Sequence, residues 1–355
     1  MSMVDPAKNV IVDIVTWNSA RYLAPLFRSF ESQTSKDFSI TIIDNASTDE
    51  TLPWLQEHYP EVTVLRNFRN LGFAKAHNQG IALALRRWRE AGVLDRRYVF
   101  VLNPDTFLEP HCIERLTDFM NAHPEIVIAG PKAYRATRAE GMDEDSEMDY
   151  VLSKELDTTG LLLLKTHKFA ERGAGEEDRG QYDIQDVFGV SGSAMMIRAS
   201  AIEHLCLSDG QVFDEDLFAY KEDADLCWRA RLMGFAISFV SDAMLWHVRH
   251  VRDSGASGLS GLLKNHFSRS SNLVYLSRRN QTWLEWKNDD FINRLIHMPW
   301  LTWQWILNVG GAILFGAHRR GFFDALKGYG KMHAKRAEIQ SCRKLRPEEM
   351  RKWFS

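Results

Sequence analysis

Short apolar runs alternate with helically spaced ones through the first half of the chain. Val10 to Val15 is apolar except at Asp13 and predicts a strand. Tyr22, Leu23, Leu26, Phe27 and Phe30 then fall on one face of a helix. Ser39 to Ile43 predicts a second strand, ending in Asp44-Asn45. Ser47-Thr48-Asp49-Glu50 has capping-box spacing, with Ser47 as cap and Glu50 reaching back, and predicts a helix that stops before Pro60. Val62 to Leu65 is a third strand, and Asn70 to Phe73 a turn into a helix over Ala74 to Trp88. Tyr98 to Leu102 is continuously apolar, as suits a parallel strand covered on both faces, and Pro104 ends it. Pro110 opens a further helix, and Ile126 to Ala129 is a fifth strand. This is the pattern of βαβ units around a mostly parallel sheet, an α/β fold.

Beyond Gly130-Pro131 the pattern weakens. Ala139 to Asp149 and Gly173 to Gly180 read as exposed loops, with a hairpin strand at Leu161 to Leu164. Order returns at Asp186 to Ile197, where the small residues Gly189 to Ser193 predict close approach of a ligand or another strand. Glu222 to Met233 predicts a helix closed by Gly234. Two strands follow, at Phe235 to Val240 and Met244 to His247.

The candidate chemistry lies at the strand ends. Thr16, Asp44 and Asp105 share the carboxyl edge of the sheet, where open α/β folds bind ligands. Asp105 suits Mg²⁺ or Mn²⁺ held against a diphosphate, or equally a cap for the next helix. His247 is a partner for such a metal, or a structural histidine. Glu222, Asp223 and Asp225 crowd one helical first turn, just after Asp214-Glu215-Asp216. The helix dipole accounts for one or two acids there, and a carboxylate held in such a turn can act as a general base. Asp225 can instead hold Arg229 one turn on. No G-x-G-x-x-G follows the first strand and no Walker A motif is present, which argues against a nicotinamide enzyme or a P-loop NTPase.

Composition narrows the setting. The chain has 355 residues, 45% hydrophobic and 26% charged, and a net charge of −3 that gives no sign of nucleic-acid binding. Cys112, Cys206, Cys227 and Cys342 are far apart, and Met1 to Asn9 lacks a signal-peptide core, so a reduced, cytoplasmic setting is expected. His266 to Asn280 is aromatic and basic. Met298 to Ala317 is about as long as a minimal transmembrane helix, but Gln304, Asn308 and three glycines weaken it. A basic stretch over His318 to Lys352 follows. A Trp-rich segment before a basic one suits peripheral binding to an anionic leaflet; the alternative is a helical region packed on the core or on a second subunit.

Taken in order, the motifs Val15-Thr16-Trp17-Asn18, Ile43-Asp44-Asn45-Ala46-Ser47-Thr48-Asp49, Asn70-Leu71-Gly72-Phe73-Ala74 with Asn78-Gln79-Gly80, Asn103-Pro104-Asp105, Ser191-Gly192-Ser193-Ala194, Glu222 to Arg229 and His247 resemble those of the inverting family 2 glycosyltransferases. Within that family they resemble the rhamnosyltransferase-like branch. The likeness spans roughly residues 9 to 280. It implies a GT-A catalytic domain over 1–265, with a nucleotide half near 9–130 and an acceptor half near 131–265, and a helical region over 266–355. It implies donor contacts from Thr16, Trp17, Asn18, Asp44, Asn45, Ser47, Gly72, Asn78 and Asn103, with Asp44 on the pyrimidine. Asp105 and His247 would hold Mg²⁺ or Mn²⁺; Asn103 replaces the metal motif's usual first aspartate. Asp223 matches the base, with Glu222 and Asp225 as alternates. Ser191, Gly192, Ser193, Trp246 and Arg269 would face the acceptor. The branch favours dTDP-L-rhamnose over other UDP- or dTDP-sugars, and a lipid-linked glycan acceptor at the cytoplasmic face of a membrane. A sugar-nucleotide pyrophosphorylase would need a glycine-rich, basic first loop, and Thr16 to Tyr22 has only Arg21. A non-catalytic module on the same fold would lack the acidic cluster that this chain carries.

Overall fold

The computed structural model describes residues 5, 7–138, 150–183, 185–248 and 270–355. The predicted alternation is realised as β1 (Val10–Thr16), α1 (Ala20–Glu31), β2 (Phe38–Asp44), α2 (Thr51–His58), β3 (Thr63–Arg66), α3 (Gly72–Glu90) and β4 (Tyr98–Leu102). The four strands are parallel, in the order β3-β2-β1-β4. The winding direction reverses between β1 and β4, so a crevice opens at their carboxyl ends.

Asp13, the one polar break in β1, is wholly buried and faces α3, where it pairs with His77 Nδ1 at 2.8 Å. Burial raises its carboxyl pKa, and His77 offsets part of that rise. Gly80 makes room for the pair, because a Cβ there would lie 1.8 Å from Asp13 Oδ1. The capping box expected at Ser47 is not formed. The helix begins at Thr51 after Glu50, with no side-chain cap. Asp49 takes the N–H of Thr51 at 3.1 Å, while Ser47 Oγ accepts from Asn18 N. The tertiary partner has displaced the local one.

The chain then adds β5 (Thr106–Leu108), α4 (Cys112–Ala122), β6 (Ile126–Arg138), β7 (Tyr150–Thr158), β8 (Leu161–Leu163), β9 (Phe169–Glu171), β10 (Ala194–Arg198), α5 (Ala199–Leu205), α6 (Glu222–Leu232) and β11 (Ala236–Val248). β10 lies antiparallel between β4 and β6, and β11 runs parallel to β6 with β5 antiparallel at its edge. β7 pairs with β6, and β8 with β9. The two strands expected over 235–247 are one, with a shift of register between Val240 and Met244. The expected loop at Gly173 to Gly180 is present as turns; the one at Ala139 to Asp149 lies outside the described residues.

Alternate residues of the central strands feed two apolar layers, as a pleated strand requires. Ile11, Val99, Val101, Met195 and Ile197 join α3, α5 and α6 on one face. Val12, Ile14, Phe100, Leu102 and Met196 join α1 and α4 on the other.

The C-terminal region forms α7 (Ser271–Asn288), α8 (Phe291–Ile296), α9 (Met298–Leu314), α10 (Gly316–Lys327), α11 (Tyr329–Ser341) and α12 (Pro347–Arg351). Trp283, Leu284, Met332, Ile339, Met350 and Phe354 are buried in the same apolar layer as α3 and α6. No helix among the described residues is long and apolar enough to cross a membrane.

Candidate functional site

β1 and β2 end in register, Thr16 opposite Asp44. Asp44 is wholly buried: Oδ1 accepts from Thr16 Oγ1 at 3.1 Å and Oδ2 from Ser47 N at 3.0 Å. Asn18, held at φ 53°, accepts from Thr48 N at 2.8 Å. These bonds brace two strand-end loops against each other and leave Trp17 59% exposed beside them. Asn45 braces the next loop, donating to Gly72 O at 3.1 Å and accepting from Asn67 Nδ2 at 3.0 Å.

The Gly72 turn packs on the loop that precedes α6. Gly72 has φ +82°, and a Cβ there would lie 2.4 Å from Phe218 O. Ala74 N donates to that same carbonyl at 3.2 Å. Gly72→Ala therefore combines backbone strain with a backbone clash. We expect it to cost about 1–3 kcal/mol, measured by chemical denaturation. Asn78 turns to the 213–215 loop: it donates to Phe213 O at 2.8 Å and accepts from Phe213 N at 3.0 Å, so its amide is spent on the protein's own backbone.

Asp223 sits at the start of α6 against the same turn. A Cβ on Gly192 would lie 3.1 Å from Asp223 Cβ and 3.3 Å from Phe73 Cζ. The Gly72 turn, the small-residue segment and the acidic helix thus converge. Gly192 N donates to Asp223 Oδ2 at 2.8 Å and Ala224 N to Oδ1 at 2.7 Å. Burial raises the Asp223 pKa, and these N–H donors restrain the rise. Glu222 is buried, and its Oε2 has no hydrogen-bond partner. Burial and the adjacent Asp223 push its pKa well above the usual carboxylate range. Adjacent carboxyls with different surroundings favour ionisation of the less buried and better-donated one, Asp223.

Asp225 is a correction to the sequence reading. It is wholly buried, and its carboxylate is taken up by Arg229 Nε at 3.0 Å, Asn288 Nδ2 at 2.7 Å and Lys287 Nζ at 2.9 Å. So enclosed, it cannot meet an acceptor hydroxyl. The i+4 pairing with Arg229 is the role it takes.

Asn103, just past β4, is tied to the small-residue segment, its N–H donating to Ser193 O at 2.9 Å. Ser191 and Ser193 are buried, with their hydroxyls 3.3 Å apart. Asp105 lies beside His247, Oδ1 to Nε2 at 3.3 Å. That oxygen is buried and makes no hydrogen bond. Behind His247, Asp157 Oδ2 meets Nδ1 at 2.9 Å from a wholly buried position on β7. Burial would lower the His247 pKa, but the Asp105 and Asp157 carboxylates raise it to about 10. A buried carboxylate oxygen facing an imidazole backed by a second carboxylate fits a divalent metal. Among the described residues no group of three or more His, Cys, Asp and Glu side chains could hold a metal ion. Two protein ligands suit an ion shared with substrate phosphates.

Trp246 alternates with His247 along β11 and so takes the other face of the strand. Its Nε1 donates to Ser153 O at 3.2 Å and its ring stacks on Tyr134 at 5.9 Å. Arg269 lies outside the described residues.

The sequence reading missed the loop ahead of α6 and what holds it. Phe218, Tyr220 and Lys221 all have positive φ, at 65°, 71° and 75°, immediately before α6. None is glycine, and such clustered strain marks functional loops. Asn280 of α7 holds it in place, donating to Leu217 O, Ala219 O and Tyr220 O at 2.9, 2.9 and 2.8 Å. The Arg279-Asn280 pair was the only local sign of this; Asp157 left none.

Residues 11–206 match the family model described as glycosyl transferase family 2. Over 280 residues the chain is 28% identical to the N-acetylglucosaminyl-diphospho-decaprenol L-rhamnosyltransferase of Mycobacterium tuberculosis, covering 76% of this chain and 84% of that protein. A low-salt glycan biosynthesis hexosyltransferase of Haloferax volcanii is 24% identical over 220 residues, 61% of this chain and 60% of that one. The crystal structure of S. aureus TarS 1-349 in complex with UDP superposes with a TM-score of 0.50 at 15% identity, over 94% of this chain and 88% of that one, a likeness of fold. With a GT-A-type sheet, a strand-end crevice and a family match over more than half its length, the chain belongs to glycosyltransferase family 2, and is a rhamnosyltransferase-like glycosyltransferase.

Proposed function

We propose that this enzyme transfers L-rhamnose from dTDP-L-rhamnose to a glycan on a polyprenyl diphosphate, with inversion, in the building of a cell-envelope polysaccharide. It would work in the cytoplasm, peripherally at the cytoplasmic face of the membrane. The observation that carries the transfer chemistry is the convergence of Gly72, Gly192 and Asp223. The donor and acceptor classes rest on the relative that is 28% identical over 84% of its length.

The step is a single displacement. Asp223 takes the acceptor hydroxyl proton as that oxygen bonds to the anomeric carbon. The bond from that carbon to the diphosphate oxygen breaks, and the nucleoside diphosphate leaves with its electron pair. Trp17, Asn18 and the loop braced by Asp44 would hold the nucleotide, and Ser191 to Ser193 would face the sugars. Asp105 and His247 would hold Mg²⁺ or Mn²⁺, which when bound supplies Lewis-acid stabilisation of the departing diphosphate.

The test is nucleoside diphosphate release from a panel of dTDP- and UDP-sugars, with a lipid-linked glycan acceptor and either metal. Preferential turnover of dTDP-L-rhamnose supports the reading. Turnover of a different sugar nucleotide overturns the donor assignment and leaves the mechanism in place. Asp157→Ala is expected to weaken Mn²⁺ binding by about 10–100-fold, because it removes the acceptor that orients His247. Electron paramagnetic resonance titration of Mn²⁺ in the presence of nucleoside diphosphate checks this without turnover. Unchanged affinity would make Asp157 structural only.

A further inference from the structure

Helix α9 is built inside out. Of its 17 residues only Gln304 and Gly311, seven apart on one face, are buried. Gln304 bonds Asn308 Oδ1 at 3.0 Å along the same stripe. The helix therefore meets the protein through a narrow polar and small-residue stripe, while Trp303, Trp305 and Ile313 are 55%, 60% and 71% exposed. The apolar surface continues onto α8, where Phe291 is 70% exposed, and onto α10, where Phe323 is 54% exposed. Of the 21 large hydrophobic side chains exposed among the described residues, 14 lie between Phe291 and Tyr329. Such concentration marks an interaction surface rather than ordinary scatter.

Charge decides the occupant. From Phe291 to Lys331 the chain carries Arg294, Arg319, Arg320, Lys327 and Lys331 against one acid of its own, Asp324, which pairs with Lys327, while Lys331 pairs with Asp216 at 2.5 Å. A second copy docked face to face would set this basic rim against itself, which like-charge repulsion opposes. A 17-residue helix is also about 25 Å long, too short to span a bilayer core of about 30 Å. Tryptophans with a basic rim suit the headgroup boundary of an anionic bilayer.

We infer that the α8–α10 face is a docking surface for an anionic membrane, lying in the interface plane with Trp303, Trp305 and Ile313 immersed. This deepens the proposed function and rests on its membrane setting, but not on the donor, the base or the metal.

The test is co-flotation of the full-length protein with vesicles of phosphatidylcholine alone and of phosphatidylcholine mixed with phosphatidylglycerol. The expected result is flotation with the anionic vesicles and little with the neutral ones. The triple variant Trp303→Ser/Trp305→Ser/Ile313→Ser should bind about tenfold less or weaker still, since it loses much of the inserted apolar area. These side chains are exposed, so its circular dichroism and melting should match the wild type. Nucleoside diphosphate release with a water-soluble acceptor should also be unchanged, which separates failure of docking from failure of the transfer reading. Absence of flotation with either vesicle overturns the inference. So does concentration-dependent dimerisation, lost in the triple variant, of a protein indifferent to lipid, which would make the face a self-interface.

Discussion

Asp223→Asn is expected to lower sugar transfer by about 10²–10⁴-fold while leaving nucleotide binding intact. The substitution keeps size and shape, and an amide oxygen still accepts from Gly192 N, whose bond to Asp223 Oδ2 is 2.8 Å. The capacity to take a proton is lost, together with one of the two accepted N–H bonds, that from Ala224 N to Oδ1 at 2.7 Å. Transfer rates and calorimetric binding of nucleoside diphosphate check the two halves of this expectation. Weakened nucleotide binding of similar size would make Asp223 a scaffold for the Gly72 turn instead. The pH profile gives a second reading. A base works ionised, and burial raises the Asp223 pKa above its ordinary 3.8. The wild-type rate should therefore rise with pH through that elevated pKa and then level, and it should fall off in acid sooner than an ordinary aspartate would allow. The residual activity of Asp223→Asn should lack this acid limb.

Lys287→Met is expected to destabilise the protein by about 3–5 kcal/mol, because it strands buried charge. Lys287 is wholly buried on α7. It pairs with Asp214 and with Asp225, the latter at 2.9 Å, and Asp225 lies two residues from the proposed base. Lys335 adds a further contact to Asp214 at 2.5 Å. Denaturant unfolding followed by tryptophan fluorescence measures the loss, and a change within about 0.5 kcal/mol would mean that the pair is dispensable. Acid sensitivity follows with a definite sign. Burial pushes the Asp214 pKa up, but Lys287 and Lys335 more than offset this and hold it below its ordinary 3.8. A depressed folded pKa stabilises above the unfolded value, and that stability is lost as pH falls through the folded one. The wild type should lose this contribution in acid below about pH 4, and Lys287→Met should have less of it to lose. The C-terminal helices are in this sense integral to the packing of the 213–225 segment. They carry the counter-ions of the acidic 214–216 loop and, through Asn280, hold the strained turn ahead of α6.

The sequence by itself determined the order and type of the elements through Leu102, because each strand and helix there carries its own periodicity. It also determined that Thr16, Asp44 and Asp105 end at one sheet edge, since parallel strands in βαβ units all point the same way. The Glu222 start of α6 was legible too, from its acidic first turn and Gly234. Tertiary structure decided what depends on partners distant in the chain. Ser47 receives Asn18 instead of capping its own helix. Asp225 is sealed by Lys287 and Asn288, the latter 63 residues away. Asp157 meets His247 across 90 residues with no motif around Asp157 to announce it. The inverted face of α9 was invisible for a related reason. An apolar helix with Gln304 on it looks the same in sequence whether the tryptophans or the glutamine point inward, and only the packing of its neighbours fixes which. Local periodicity records what a segment can form; the pairing of buried charges is set by whichever distant groups the fold brings within hydrogen-bond reach.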